Sequence, residues 1–67
     1  MKEILKEIRK YLSKEEREQI ALELGYSKHT VEAVAYGLKW NLKIFTRLKE
    51  EAKRNADKLL TPLNPKV

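Results

Sequence analysis

The sequence predicts an all-α chain, a compact four-helix domain in which two short central helices precede one long C-terminal helix. Three observations carry this. Small and apolar residues recur at helical spacing, and no segment alternates apolar and polar residues as a half-buried strand would. Capping residues or glycines punctuate those segments at Ser13, Gly25, Ser27, Gly37 and Asn41. Both prolines, Pro62 and Pro65, fall beyond the last helical segment.

The first helix is expected from about Lys2 to Leu12, with Ile4, Leu5, Ile8 and Leu12 on one face. Ser13 stops it and opens the next. Ser13-Lys14-Glu15-Glu16 fits the S-x-x-E capping box, in which the serine and glutamate side chains satisfy each other's free backbone amides. The second helix runs from about Lys14 to Leu24, and Gly25 follows where a left-handed residue closes a helix cheaply. Ser27 caps a third helix, about Lys28 to Tyr36, which Gly37 ends. Its inward row is Val31, Val34 and Leu38. Asn41 caps a fourth helix reaching about Leu60. There Phe45, Leu48, Ala52, Ala56 and Leu59 form a stripe. Some 20 residues of helix span roughly 30 Å, more than a core of this size covers. Ile44, Phe45 and Leu48 are expected to seal the bundle. Ala52, Ala56, Leu59 and Leu60 are expected to meet a second copy of the chain, the alternative being that the last two turns fold back on the first helix.

With 67 residues, the chain holds one small domain, 1–60, and an expected flexible tail, 61–67. There is no cysteine, so neither a disulfide nor a thiolate metal site supplements the core. No segment reads as a signal peptide or a membrane span, which makes the expected location cytoplasmic, or nucleoid-associated in a bacterial cell. The net charge is +5 and unevenly spread. Met1 to Tyr26 holds six basic and six acidic residues, whereas Ser27 to Val67 holds nine basic and four acidic. The surplus begins with the third helix, which suits attraction to phosphate. An enzyme is not expected. A single histidine, no glycine-rich phosphate loop and no metal-ligand spacing leave nothing to build a reaction on, and no cofactor or metal is implied.

Arg17 to Tyr36 has the layout of a helix-turn-helix, whose second helix lies in the major groove of DNA. Ala21 is small where the helices cross, Gly25 makes the turn, and Ile20, Leu24, Val31 and Val34 fill the angle between them. Those residues establish a fold and touch no ligand. The base readers are the outward positions left over: Lys28, His29, Glu32 and Ala33. Lys28 can donate to guanine or to a phosphate, His29 can donate or accept at a base edge, and Glu32 can accept from cytosine or pair with a nearby cation. The Ala33 methyl suits a thymine methyl or a close approach. Phosphate contacts are expected from Arg17, Ser27, Thr30, Tyr36, Lys39, Asn41 and Lys43, with Ser27 and Thr30 also able to cap the helix. Trp40 fits an anchor in the core or an interface better than a DNA contact.

The pattern Ile20-Ala21, Leu24-Gly25-Tyr26-Ser27, Thr30-Val31, Val34, Gly37 and Asn41 resembles the phage-repressor (Cro/Xre-like) helix-turn-helix proteins over roughly residues 13 to 49. The resemblance implies a bacterial or phage transcription regulator, repressor-like, that binds a palindromic double-stranded operator as a homodimer. It assigns Lys28, His29, Glu32 and Ala33 to base-facing positions, and Arg17, Tyr36 and Asn41 to phosphate-contacting ones. The single long C-terminal helix departs from the five helices common in that family and leaves half-site spacing open. The same core pattern is shared by the tetrahelical domains of response regulators and sigma factors. A different class of function uses the same fold to bind protein, as an antitoxin or a phage accessory protein does.

Overall fold

The computed structural model describes residues 2–60, with the side chains of residues 59 and 60 excepted. Among these residues the chain forms four helices and no strand: α1 (Lys2–Tyr11), α2 (Lys14–Leu24), α3 (Lys28–Ala35) and α4 (Leu42–Leu60). The expected tail, 61–67, lies outside the described residues.

Local chemistry sets each boundary. At Ser13, with φ −73° and ψ 166°, the hydroxyl accepts from the Glu16 amide at 3.1 Å while the Glu16 carboxylate accepts from the Ser13 amide at 2.8 Å. This is the reciprocal capping box, and it satisfies two of the orphan donors at that end of the chain's second helix. α2 ends at Gly25, where φ is +82°. The amides of Gly25 and Tyr26 reach back to the carbonyls of Leu22 and Ala21 at 3.3 and 2.9 Å. This pair of bonds is the Schellman closure, which needs a left-handed residue and so favours glycine. The same closure ends α3: Gly37 has φ +79°, and the Gly37 and Leu38 amides bond Val34 and Ala33 at 3.1 and 2.8 Å. A methyl group at Gly37 would also stand 3.3 Å from Leu5 of α1. Asn41 opens α4, its Oδ1 accepting from the Ile44 amide at 3.0 Å.

α2 and α3 pack tightly across their three-residue turn, α4 lies chiefly along α1, and α3 also touches both. Leu5, Ile8 and Leu12 meet Ile20, Ala21, Val31, Val34, Ala35, Ile44 and Leu48 in one core. Val31, Val34, Ile44 and Leu48 are its most enclosed large side chains, each contributing about 1.5–3 kcal/mol by leaving water. Arg47 ties α4 to α2 from outside, donating to both Glu23 oxygens at 2.7 and 3.1 Å and to Glu51 at 2.9 Å. Such half-exposed pairs contribute about 0–1 kcal/mol.

Three expectations need correction. Leu38 does not join the inward row of α3; the left-handed turn at Gly37 takes the chain off the helix axis, and Leu38 is 80% exposed. Ile4 is exposed as well, since Leu5, Ile8 and Leu12 already cover the contact with the core. Ala52 does not await a second copy of the chain. It is buried in this chain's own core, because α4 runs back along α1 and Asn55 Nδ2 fixes the contact by donating to the Tyr11 carbonyl at 2.7 Å and to Glu16 at 3.0 Å. Ala56 is half-buried, and the Leu59 and Leu60 side chains lie outside the described residues.

Candidate nucleic-acid interface

α3 is short and held at both ends. The Ser27 hydroxyl accepts from the Thr30 amide at 3.2 Å and lies 3.0 Å from the Thr30 hydroxyl, while the closure at Gly37 fixes the other end. Val31, Val34 and Ala35 anchor the inner face at 1% exposure or less. The outer face is therefore presented rigidly. Lys28 and His29 stand exposed on its first turn, with Glu32 and Ala33 half-buried one turn later and Tyr36 exposed at the end. Lys28, His29, Glu32 and Tyr36 line a shallow concavity with Lys14, Arg17 and Glu18 of α2.

Arg17 takes no part as an exposed phosphate clamp. It is 8% exposed, its Nε donates to Glu32 Oε2 at 2.7 Å, and its Nη1 donates to the Leu12 carbonyl at 2.9 Å. An arginine this enclosed is retained because both acceptors are aimed at it. Its effect on the outer face is indirect: the guanidinium offsets the Glu32 carboxylate, which would otherwise repel phosphate beside Lys28. Glu32 pairs with this cation rather than with Lys28, so one of its two oxygens is already committed.

Asn41 is occupied too. Its Oδ1 caps α4 and its Nδ2 lies 3.4 Å from the Tyr26 hydroxyl, so its place is structural. Ser27 and Thr30 spend their hydroxyls on each other and on the cap. Lys39 and Lys43 are exposed beside the loop that follows α3, as a phosphate-facing role requires. Trp40 is no core anchor: it is 60% exposed, its ring tilted against that of Phe45 with 5.1 Å between centroids.

Two features escaped the sequence reading. Lys14, exposed on the first turn of α2, shares the concavity with Lys28; its position next to the Ser13 cap was the available signal. Arg9 donates to the Ala35 carbonyl at 2.6 Å and stacks 4.4 Å above the Tyr36 ring, a cation–π contact that orients the tyrosine at the end of α3. The surplus of positive charge is also less concentrated than the tally along the chain suggests. Arg47 is paired with Glu23 and Glu51, and Arg54 lies 3.6 Å from Glu51.

Among the described residues no helix is long and apolar enough to cross a membrane, and no three His, Asp or Glu side chains converge as metal ligands. Comparison with protein-family models, with curated proteins and with solved structures found no match to this chain.

Proposed function

We propose that this chain is a sequence-specific double-stranded DNA-binding regulator, repressor-like in its action, that inserts α3 into the major groove and binds a palindromic operator as a homodimer. The observation that carries this reading is the division of α3. Its inner face is sealed at 1% exposure or less, while Lys28 and His29 stand free on the first turn of a helix capped at both ends. Lys28, His29 and Ala33 read base edges, and Glu32 contributes through the oxygen that Arg17 leaves unused. Lys14, Tyr36, Lys39 and Lys43 take phosphates. The homodimer rests on Leu38, Trp40 and Leu42, which are 60–80% exposed within five consecutive residues after α3. A regulator of this kind works in the cytoplasm, on the nucleoid.

Selection of bound duplexes from a random pool tests the reading directly. The expected product is a two-fold symmetric site with half-sites one helical turn, about 34 Å, apart. Lys28→Ala is expected to relax preference at one position and cost about 1–3 kcal/mol, whereas Lys39→Ala weakens all sequences alike. A pool that shows no enrichment at physiological salt rejects the proposal.

The same exposed cluster supports a second reading, a protein-interaction module such as an antitoxin or phage accessory protein. A stoichiometric protein partner on purification favours it, and a stable homodimer without one counts against it.

A further inference from the structure

Three of the four cations of α1 share one edge of the helix. Lys2, Lys6 and Arg9 recur at intervals of four and three residues, while Glu3, Glu7 and Lys10 each follow one of them and so lie about 100° further round. Leu5 and Ile8 hold the remaining side in the core. The basic edge is the one turned toward α3, since Lys2, Leu5, Lys6 and Arg9 line one depression with Tyr36. Tyr36 in turn borders the concavity that holds Lys14, Lys28 and His29. One surface thus runs from the first turn of α3, across Tyr36, to the cations of α1.

We propose that Lys2, Lys6 and Arg9 form a phosphate-contacting strip that grips the sugar–phosphate backbone of the same duplex that α3 reads. This inference rests on the DNA-binding reading and extends its footprint past the C-terminal end of α3. Lys2 and Lys6 are exposed and separated by about 6 Å along the helix axis, close to two steps of phosphate charge on one strand. Arg9 is held by Ala35 and the Tyr36 ring, so its fork is ordered before any ligand arrives. Of its five N–H donors one goes to Ala35, which leaves the fork able to take a phosphate oxygen. An anionic bilayer is a poorer partner, because Leu5, Ile8 and Leu12 are spent on the core and the one exposed aliphatic side chain described on α1, Ile4, is too little to anchor it in lipid.

The test is a salt titration of binding to a mixed-sequence duplex, comparing the natural chain with Lys2→Gln/Lys6→Gln. Both lysines are exposed, and an unchanged melting curve verifies the fold of the variant. Two lost phosphate contacts make the slope of log K against log salt shallower by about 1.8, so that the affinity lost between about 50 and 200 mM salt shrinks roughly tenfold. The ranking of sequences from the selected pool stays the same. An unchanged slope in a chain that still binds duplex overturns the strip and leaves the DNA reading standing. The strip also falls if Lys49→Gln/Lys53→Gln on α4 shifts the slope equally, since the slope then reports net charge. It falls again if the variant loses binding to phosphatidylserine vesicles while its duplex slope is unchanged. A natural chain that binds no duplex at all overturns both readings.

Discussion

At Arg17 two short hydrogen bonds, 2.7 Å to Glu32 and 2.9 Å to the Leu12 carbonyl, join the C-terminal end of α1 to α2 and α3 through one side chain. Replacing it with methionine keeps much of the stem's packing but orphans the buried Leu12 carbonyl and leaves Glu32 without its cation. The expected loss is about 2–3 kcal/mol, read as a lower urea midpoint at unchanged m-value. In Arg17→Met/Glu32→Gln, which leaves no bare carboxylate beside Lys28, the salt slope of DNA binding by the folded protein should not move; a slope shallower by about 0.9 would return Arg17 to the backbone contacts. The pair was hard to read in advance because its partners are 15 residues apart and on different helices. One signal was present. Arg17 lies three and four residues before Ile20 and Ala21, on the apolar stripe of α2, and a cation on such a stripe requires acceptors within the fold. Lys28 and His29 were legible for the opposite reason, since exposure on the first turn follows from the Ser27 cap and the positions of Val31 and Val34 alone.

Helix boundaries were the most readable level. Ser13, Gly25, Ser27 and Asn41 act on backbone groups a few residues away, and such signals are complete within a short window of sequence. The capping box at α2 also carries a pH dependence. The Glu16 carboxyl is held below its ordinary value of 4.5, chiefly because it accepts from the Ser13 amide, with Asn55 helping and burial opposing. A carboxyl depressed in the folded state stabilises above its unfolded value and loses that contribution as pH falls through the folded one. Stability measured by denaturant titration is therefore expected to decline on acidification below about pH 4.5, and Glu16→Gln should flatten the decline. Some slope persists in that variant, because Glu23 is also lowered, by its hydrogen bond to Arg47. Ser13→Ala should cost about 1 kcal/mol at neutral pH. An acid limb equally steep in the natural chain and in Glu16→Gln would remove the capping box as its source.

In the whole molecule, helix number and order were legible while the partner of α4 was not. The stripe of small residues on α4 fits either a second copy or α1, and periodicity cannot choose between them. Asn55 decides it, by donating to Tyr11 and Glu16 and so placing Ala52 in the core. Among the described residues Ile4, Leu22 and Tyr36 are exposed singly, whereas the connection after α3 exposes Leu38, Trp40 and Leu42 together, and Leu42 shares a shallow depression with Leu24. Three large apolar side chains in water so near α3 favour self-association there, with Lys39 and Lys43 kept at the rim where their like charges stay hydrated. A two-fold axis at this connection would set the spacing between the two copies of α3, and hence between half-sites. Sedimentation equilibrium is expected to find a dimer that Trp40→Glu/Leu42→Glu dissociates, at least tenfold in dissociation constant, while far-UV circular dichroism at about 25 °C shows the helices retained and the melting temperature falls with the loss of the dimer and of the Phe45 contact. Ala56→Arg on α4 should leave the dimer intact. If instead Ala56→Arg dissociates it and the Trp40/Leu42 variant does not, the dimer axis lies along α4 and the half-site spacing follows that helix.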